Sequence, residues 1–181
     1  EADALGVIPS KDGGVHLGKP VAQKGTPFAL ATGPFLSPLH MPCTQPPFGK
    51  IAVVDLDTRR LIWTRPLGTA ADSGPFGYAS HIPYPMGVPN TGGSLTTGSG
   101  LIFIGATQEK AIRAFHSVTG KKLWEARLPA GGHATPMTYF SPKTGREYVV
   151  ISAGGNATLL SGTGDAVVAF ALPRVNGKAA Q

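Results

Sequence analysis

The sequence predicts an all-β chain, and three observations carry that prediction. Gly (25) and Pro (17) make up about a quarter of the 181 residues, a density of turn formers that helical proteins do not carry. Hydrophobic residues still reach 41% and charged residues only 14%, so the chain can bury a core and lacks the composition of disorder. The third observation is a block that occurs twice without a gap. Val54-Asp55-Leu56-Asp57-Thr58-Arg59-Arg60-Leu61-Ile62-Trp63 aligns with Phe115-His116-Ser117-Val118-Thr119-Gly120-Lys121-Lys122-Leu123-Trp124, and 61 residues separate each Thr and each Trp from its counterpart. Such self-similarity at a long period marks repeated supersecondary units. A strand–turn–strand unit ending on one Trp predicts blades of a β-propeller, with the aromatic docking one sheet on the next.

The elements follow in order. Residues 1–25 are polar and Gly-rich and read as an irregular segment, apart from a short strand near Val15-His16-Leu17. The propeller domain is expected over residues 26–173, and 174–181 as a frayed tail. Residues 26–47 are dense in Pro and aromatic residues and read as extended loop, because Pro is excluded from helix interiors and central strands. A strand over 50–56 turns at Asp57-Thr58-Arg59-Arg60 into a second over 61–65. Residues 68–92 form a long connection. Connections beyond about 12–15 residues in a compact domain are usually functional or disordered, and this one carries Tyr78, His81, Tyr84, Met86 and Asn90, a set suited to lining a pocket. Strands over 94–97 and 101–105 form a hairpin closed at Gly98-Ser99-Gly100, and 111–116 and 122–127 complete a four-stranded sheet. A further sheet comes from 134–139, 147–153 and 166–171, with Gly145 turning the first pair and 154–164 looping out. No segment has a helical period.

A closed propeller needs at least four blades, whereas this chain holds about three units at the observed period. The expected architecture is therefore two to three consecutive four-stranded antiparallel blades of an incomplete ring. Trp63 and Trp124 should be equivalent and largely buried. The two end faces of the arc should be apolar and promote self-association. No apolar run approaches the ~18 residues of a membrane span. The start at Glu1-Ala2-Asp3 has no signal-peptide pattern, and the chain reads as a piece of a longer one.

Several function classes are excluded. The net charge of +6 is scattered, with no basic stripe and no interleaved aromatics, so nucleic acid is not a partner. The single Cys43 precludes an intrachain disulfide and disfavours a metal–thiolate site. The five histidines include no His-x-x-x-His pair and read as solvated or hydrogen-bonded loop residues. Residues 92–98 lack the Gly-Lys-Ser/Thr ending of a phosphate loop and do not form a hydrolase elbow. Asp55 and Asp57 flank a repeat turn, and His116 takes the place of Asp55 as a turn residue. Glu109 follows the strand ending at Gly105, where the chain turns toward the propeller axis, and is a candidate to face a ligand. No catalytic constellation and no metal cluster is present in these residues.

The residues carry a resemblance as well. It runs through Gly87-Val88-Pro89-Asn90-Thr91-Gly92-Gly93-Ser94, Leu101-Ile102-Phe103-Ile104-Gly105-Ala106-Thr107 and Thr119-Gly120-Lys121-Lys122-Leu123-Trp124-Glu125-Ala126-Arg127-Leu128-Pro129-Ala130-Gly131-Gly132. Ala134-Thr135-Pro136-Met137-Thr138-Tyr139, Tyr148-Val149-Val150-Ile151-Ser152-Ala153-Gly154-Gly155 and the upstream Pro42-Cys43-x-x-Pro46-Pro47 extend it over residues 25–173. The chain closely resembles the C-terminal part of the membrane-bound, pyrroloquinoline quinone (PQQ)-dependent glucose/quinate/shikimate dehydrogenases. The resemblance implies an eight-bladed propeller on the periplasmic side of the bacterial inner membrane, with PQQ and calcium or magnesium near its axis. It implies a sugar or cyclic polyol as substrate and ubiquinone as acceptor, reached through the membrane domain of the parent protein. The base, the metal ligands and a quinone-facing lysine are implied upstream, so the isolated chain should be inactive and bind no cofactor, its partners being the remaining blades. Two residues are implied at the cofactor. Glu109 stands where relatives commonly have Asp, and Asn156 stands where they have the His of Ala-Gly-Gly-His-Gly. Asn can still donate and accept hydrogen bonds but cannot titrate. The alternative is a non-enzymatic envelope scaffold built of PQQ-type repeats, against which the long 68–92 connection and the Leu-Pro-Ala-Gly-Gly segment count.

Overall fold

The computed structural model describes residues 21–31, 33–157 and 159–172, and the backbone of Arg174–Val175 and Lys178–Ala179. All ladders are antiparallel. Strands β1 (Val21–Ala22) and β2 (Ala29–Leu30) form a small hairpin. Strands β3 (Lys50–Asp55) and β4 (Arg60–Pro66) form a two-stranded sheet. Strands β5 (Ser94–Thr96), β6 (Leu101–Ile104), β7 (Ala111–His116) and β8 (Lys122–Arg127) follow as a sequential four-stranded sheet. Strands β9 (Met137–Ser141), β10 (Arg146–Gly155) and β11 (Thr163–Phe170) make a three-stranded sheet with β10 central. A last two-residue pair joins β12 (Arg174–Val175) to β13 (Lys178–Ala179). Among the described residues the helical turns are two 3₁₀ turns, Ala70–Asp72 and Pro75–Gly77.

The expected all-β arc of propeller blades is present, without a closed ring. Among the described residues, only the middle sheet has all four expected strands. The Pro-rich stretch is irregular as expected and is held by an isolated bridge between Leu36 and Pro42. The strand expected near Val15 lies outside the described residues.

The repeat is real at the level of hydrogen bonds. Val53 pairs with Trp63 but Val54 with Leu61, which leaves Ile62 as the extra residue of a β-bulge. Ala114 pairs with Trp124 but Phe115 with Lys122, so Leu123 repeats that bulge in the next sheet. The turns match as well. Asp55 Oδ1 accepts from the N–H groups of Asp57 and Thr58 at 2.9 and 3.0 Å. His116 Nδ1 accepts from Val118 and Thr119 at 3.2 and 3.3 Å, an imidazole doing the work of a carboxylate.

Each Trp docks its own sheet on the following one. Trp63 lies 6.4 Å from the Phe115 ring, and Trp124 lies 5.0 Å from Phe170, edge to face. Gly120, at φ 65°, admits the first ring, because a Cβ there would come within 2.7 Å of it. Both tryptophans are half-buried rather than largely buried. They sit on the outermost strands β4 and β8, where the next sheet covers the ring on one side only.

Two apolar cores result. Ile51, Leu67, Ile102, Ile104, Ala106 and Phe115 fill the first, between β3–β4 and β5–β8. Ile112, Leu128, Ile151 and Ala153 fill the second, between β5–β8 and the last sheet. Alternation along β7 sends Phe115 to one and Ile112 to the other, which is why that strand is buried along nearly its whole length. The antiparallel order also sorts the connections. Turns 56–59, 97–100, 117–121 and 142–145 fall at one end of the sheets, and segments 67–93, 105–110, 128–136 and 156–162 at the other.

Candidate functional site at the long-loop end

The four long connections are laced together by main-chain hydrogen bonds. Val88 donates to Leu67 O (2.9 Å), Thr91 to Ala106 O (2.8 Å) and Gln108 to Pro89 O (2.9 Å). Ala106 donates to Gly132 O (2.6 Å), Gly131 to Ser161 O (3.0 Å) and Gly155 to Gly131 O (2.9 Å). Glycine permits such close approach: a Cβ at Gly105 would lie 2.3 Å from Gly132 O. Phe76, His81, Ala106 and Leu160, all in these connections, hold φ between 52° and 58°. Non-glycine residues in that region cost about 1–3 kcal/mol each and gather at functional sites.

Glu109 is the electrostatic centre of this end and is only 4% exposed. Its Oε2 accepts from the Thr69 N–H at 2.8 Å and from Arg113 Nη2, and its Oε1 accepts from the Thr69 hydroxyl at 2.8 Å. Arg127 Nη1 stands 3.9 Å from Oε1. Glu109 therefore ties the connection after β4 to the loop between β6 and β7. All of its hydrogen-bond partners lie within the chain. Arg113, 2% exposed, also donates from Nε to Glu125 at 2.9 Å, while its Nη1 is buried with no acceptor among the described residues.

A second set of charges borders the first. Arg127 Nη2 donates to both oxygens of Asp72 at 2.7 Å, and the Lys110 main-chain N–H donates to Asp72 Oδ2 at 2.7 Å. Burial works to raise the Asp72 pKa, but the Arg127 and Lys110 hydrogen bonds and charges outweigh it and hold the carboxyl below its usual value. Burial likewise opposes Lys122 and Arg113 at Glu125, and the two cations prevail. The hydrogen bond to Asp72 raises the Arg127 pKa against the effect of burial.

Asn156 opens the loop between β10 and β11. Its Oδ1 accepts from the Leu159 N–H at 3.0 Å, and its carbonyl oxygen accepts from the Ser161 N–H at 3.2 Å. The side-chain Nδ2 has no partner among the described residues. Ser161, 1% exposed, meets His133 Nε2 at 2.7 Å, and His133 Nδ1 faces Thr91 O at 3.1 Å. A carbonyl opposite Nδ1 places a proton there, and the Ser161 hydroxyl also faces the Asn156 carbonyl oxygen at 3.4 Å. With its hydroxyl enclosed, Ser161 is a clasp between loops and not a nucleophile.

Tyr78, His81, Tyr84 and Asn90 are exposed and Met86 is half-buried in this chain. Cys43 is free and exposed. No three His, Cys, Asp or Glu side chains among the described residues stand close enough to hold a metal ion. Sequence reading missed Arg113, Thr69 and the His133–Ser161 pair. Thr69 and Glu109 are 40 residues apart, and His133 and Ser161 are 28 apart, so no local spacing announces either.

A family model described as the glucose/ethanol/alcohol dehydrogenase β-propeller domain matches residues 4–149. The probable quinate dehydrogenase (quinone) of Xanthomonas campestris pv. juglandis is 51% identical over 153 residues, covering 84% of this chain and 19% of that protein. The quinoprotein glucose dehydrogenase of Escherichia coli K12 is 46% identical over 151 residues, covering 83% and 19%. The glycerol dehydrogenase large subunit of Gluconobacter thailandicus is 42% identical over 180 residues, covering 96% and 24%. The chain thus spans about a fifth of the length of the relatives it matches.

Proposed function

The chain belongs to the glucose/ethanol/alcohol dehydrogenase β-propeller family, and on that premise we propose that it forms the C-terminal blades of a PQQ-dependent dehydrogenase. The parent enzyme oxidises a sugar or a cyclic polyol, with glucose, quinate and shikimate as the candidates, and passes the electrons to ubiquinone. The observation that carries this reading is about 50% identity, along more than four-fifths of the chain, to relatives named for quinate and glucose. Both are named as dehydrogenases, and their names differ on the alcohol. Among the described residues no helix is long and apolar enough to cross a membrane, and the proposed periplasmic anchoring belongs to other parts of the protein.

The chemistry of the long-loop end fits the cofactor. PQQ is an anionic, tricarboxylate quinone, and such a group asks for hydrogen-bond donors held in fixed positions. The Asn156 Oδ1 is consumed by its own loop, which leaves the amide Nδ2 as a donor with a fixed orientation. The His133–Ser161 clasp and the main-chain bonds through Gly131 fix that loop on its neighbour. Bound PQQ supplies a two-electron acceptor for the alcohol, with calcium or magnesium as its companion ion. The part of this chain is to build one sector of the pocket wall, present the Asn156 amide and keep water out through its packed loops. Glu109 supports that wall through Thr69 and Arg113. The proton-accepting base and the metal ligands are assigned to the remaining blades.

The test is a substrate panel. Full-length protein carrying this sequence, reconstituted with PQQ and calcium or magnesium, should reduce a ubiquinone analogue with at least one of quinate, shikimate or glucose. Reduction that is independent of added PQQ, or absent with every member of the panel, would count against the reading.

A further inference from the structure

The charge network around Asp72 and Glu109 borders one further cation, Lys110. Asp72, Glu109 and Glu125 are engaged by Arg127, Arg113 and Lys122. Lys110 uses only its main chain in this network, donating to Asp72 Oδ2 and accepting from the Leu128 N–H at 2.9 Å. Its ammonium makes no hydrogen bond or ion pair among the described residues. Asp72 feels the Lys110 charge, but both of its oxygens already accept from Arg127.

The Lys110 side chain leans instead on the loop that carries Asn156. Lys110 Cε and Nζ lie 3.5 and 3.6 Å from where a Cβ would stand on Gly162, an ordinary contact distance. Gly162 closes that loop against its start, since a Cβ on Gly155 would fall 1.9 Å from Gly162 O. Residues 156–162 contain no acid that could neutralise the ammonium. Among the described residues, a half-buried cation with no ion-pair contact and an amide donor with no acceptor therefore flank the same short loop. Together they have the chemistry that recognises a carboxylate, an ammonium as point charge and an N–H as director.

We propose that Lys110, together with Asn156 Nδ2, forms a carboxylate-binding subsite on the long-loop end. This inference rests on the dehydrogenase reading above and deepens it. The carboxylate has two possible sources, a carboxylate of PQQ or the carboxylate of quinate or shikimate. Glucose carries none, so the second source would make Lys110 a specificity determinant.

The experiment uses the full-length protein with wild-type sequence, Lys110→Met and Lys110→Arg, each checked for an unchanged melting temperature. Two quantities are measured: the Kd for PQQ on apo protein by equilibrium titration, and KM for quinate and for glucose on reconstituted protein. Loss of one charge-assisted hydrogen bond is worth about a tenfold change. A tenfold rise in the PQQ Kd for Lys110→Met, with Lys110→Arg near wild type, assigns the subsite to the cofactor. An unchanged PQQ Kd with a tenfold rise in KM for quinate and none for glucose assigns it to the substrate. A Lys110→Met protein within twofold of wild type in both quantities overturns the subsite while leaving the dehydrogenase reading intact. A wild-type protein that neither binds PQQ nor oxidises any panel substrate overturns the reading itself, and the subsite with it.

Discussion

The indole N–H of Trp63 donates to the main-chain oxygen of Ser117 at 2.7 Å, a bond that crosses from one blade to the next. Trp124, its repeat counterpart, has no such acceptor among the described residues and rests on the Phe170 ring instead. The docking tryptophan therefore makes a polar contact at the first interface and only a ring contact at the second.

That asymmetry predicts unequal effects of the same substitution. Trp63→Phe keeps a ring but strands the Ser117 carbonyl, and should destabilise the chain by about 1 kcal/mol more than Trp124→Phe does. Urea unfolding of the two variants measures the difference. Equal losses would mean that the 2.7 Å bond contributes nothing.

Glu109 gives a larger effect. Removing one member of a buried ion pair leaves an uncompensated charge and costs about 3–5 kcal/mol. Glu109→Ala leaves Arg113, already short of one acceptor, with a second unpaired Nη group. Its stability loss should lie in that range, and Glu109→Gln should recover part of it by keeping the Thr69 contacts. A surface-like loss below about 0.5 kcal/mol would refute the buried role.

Two partly buried depressed carboxyls bear on the acid response. Asp72 and Glu125 have folded-state pKa values below their ordinary 3.8 and 4.5. Each therefore adds stability that is complete well above those values and is lost as pH falls through and below them. Denaturation midpoints should be flat near neutrality and drop below about pH 4.5, with a smaller drop in Asp72→Asn. An identical acid limb in that variant would remove Asp72 from the account.

The His116 turn makes a sharper local claim. Because Nδ1 accepts two N–H groups, the ring must carry its proton on Nε2. Nitrogen-15 chemical shifts should show that tautomer. His116→Asp, which copies Asp55, should hold or raise stability at neutral pH, and a clear loss would break the equivalence of the two turns.

These cases show what the sequence makes legible. Spacing between Trp63 and Trp124 revealed the repeat, because the bulge and turn that hold each Trp are local and fit inside ten residues. The His116 substitution was readable for the same reason. Glu109 is legible from its place after β6, but its Thr69 partner is not, because Thr69 reaches it from the preceding blade's connection, 40 residues away. Tyr78 and Tyr84 read as pocket residues from composition, and both rings are exposed in this chain, which spans about a fifth of its relatives' length.

The open ends of the arc carry their own consequence. Val54, Leu61 and Ile62 are exposed on β3–β4, and Met137, Tyr139 and Val167 on the outer face of the last sheet. Exposed apolar surface of this kind associates, so the isolated chain should self-associate in sedimentation as its concentration rises. A strictly monomeric species at high concentration would contradict that expectation.

The central claim is that these blades build part of a PQQ pocket, and an equilibrium titration of PQQ tests it most directly. Full-length apo protein, supplied with calcium or magnesium, should bind PQQ saturably at one site, with dehydrogenase turnover rising in proportion to the bound fraction. The isolated 181-residue chain should neither bind nor turn over under the same conditions. Full-length protein that is folded by circular dichroism yet shows no saturable PQQ binding would contradict the account.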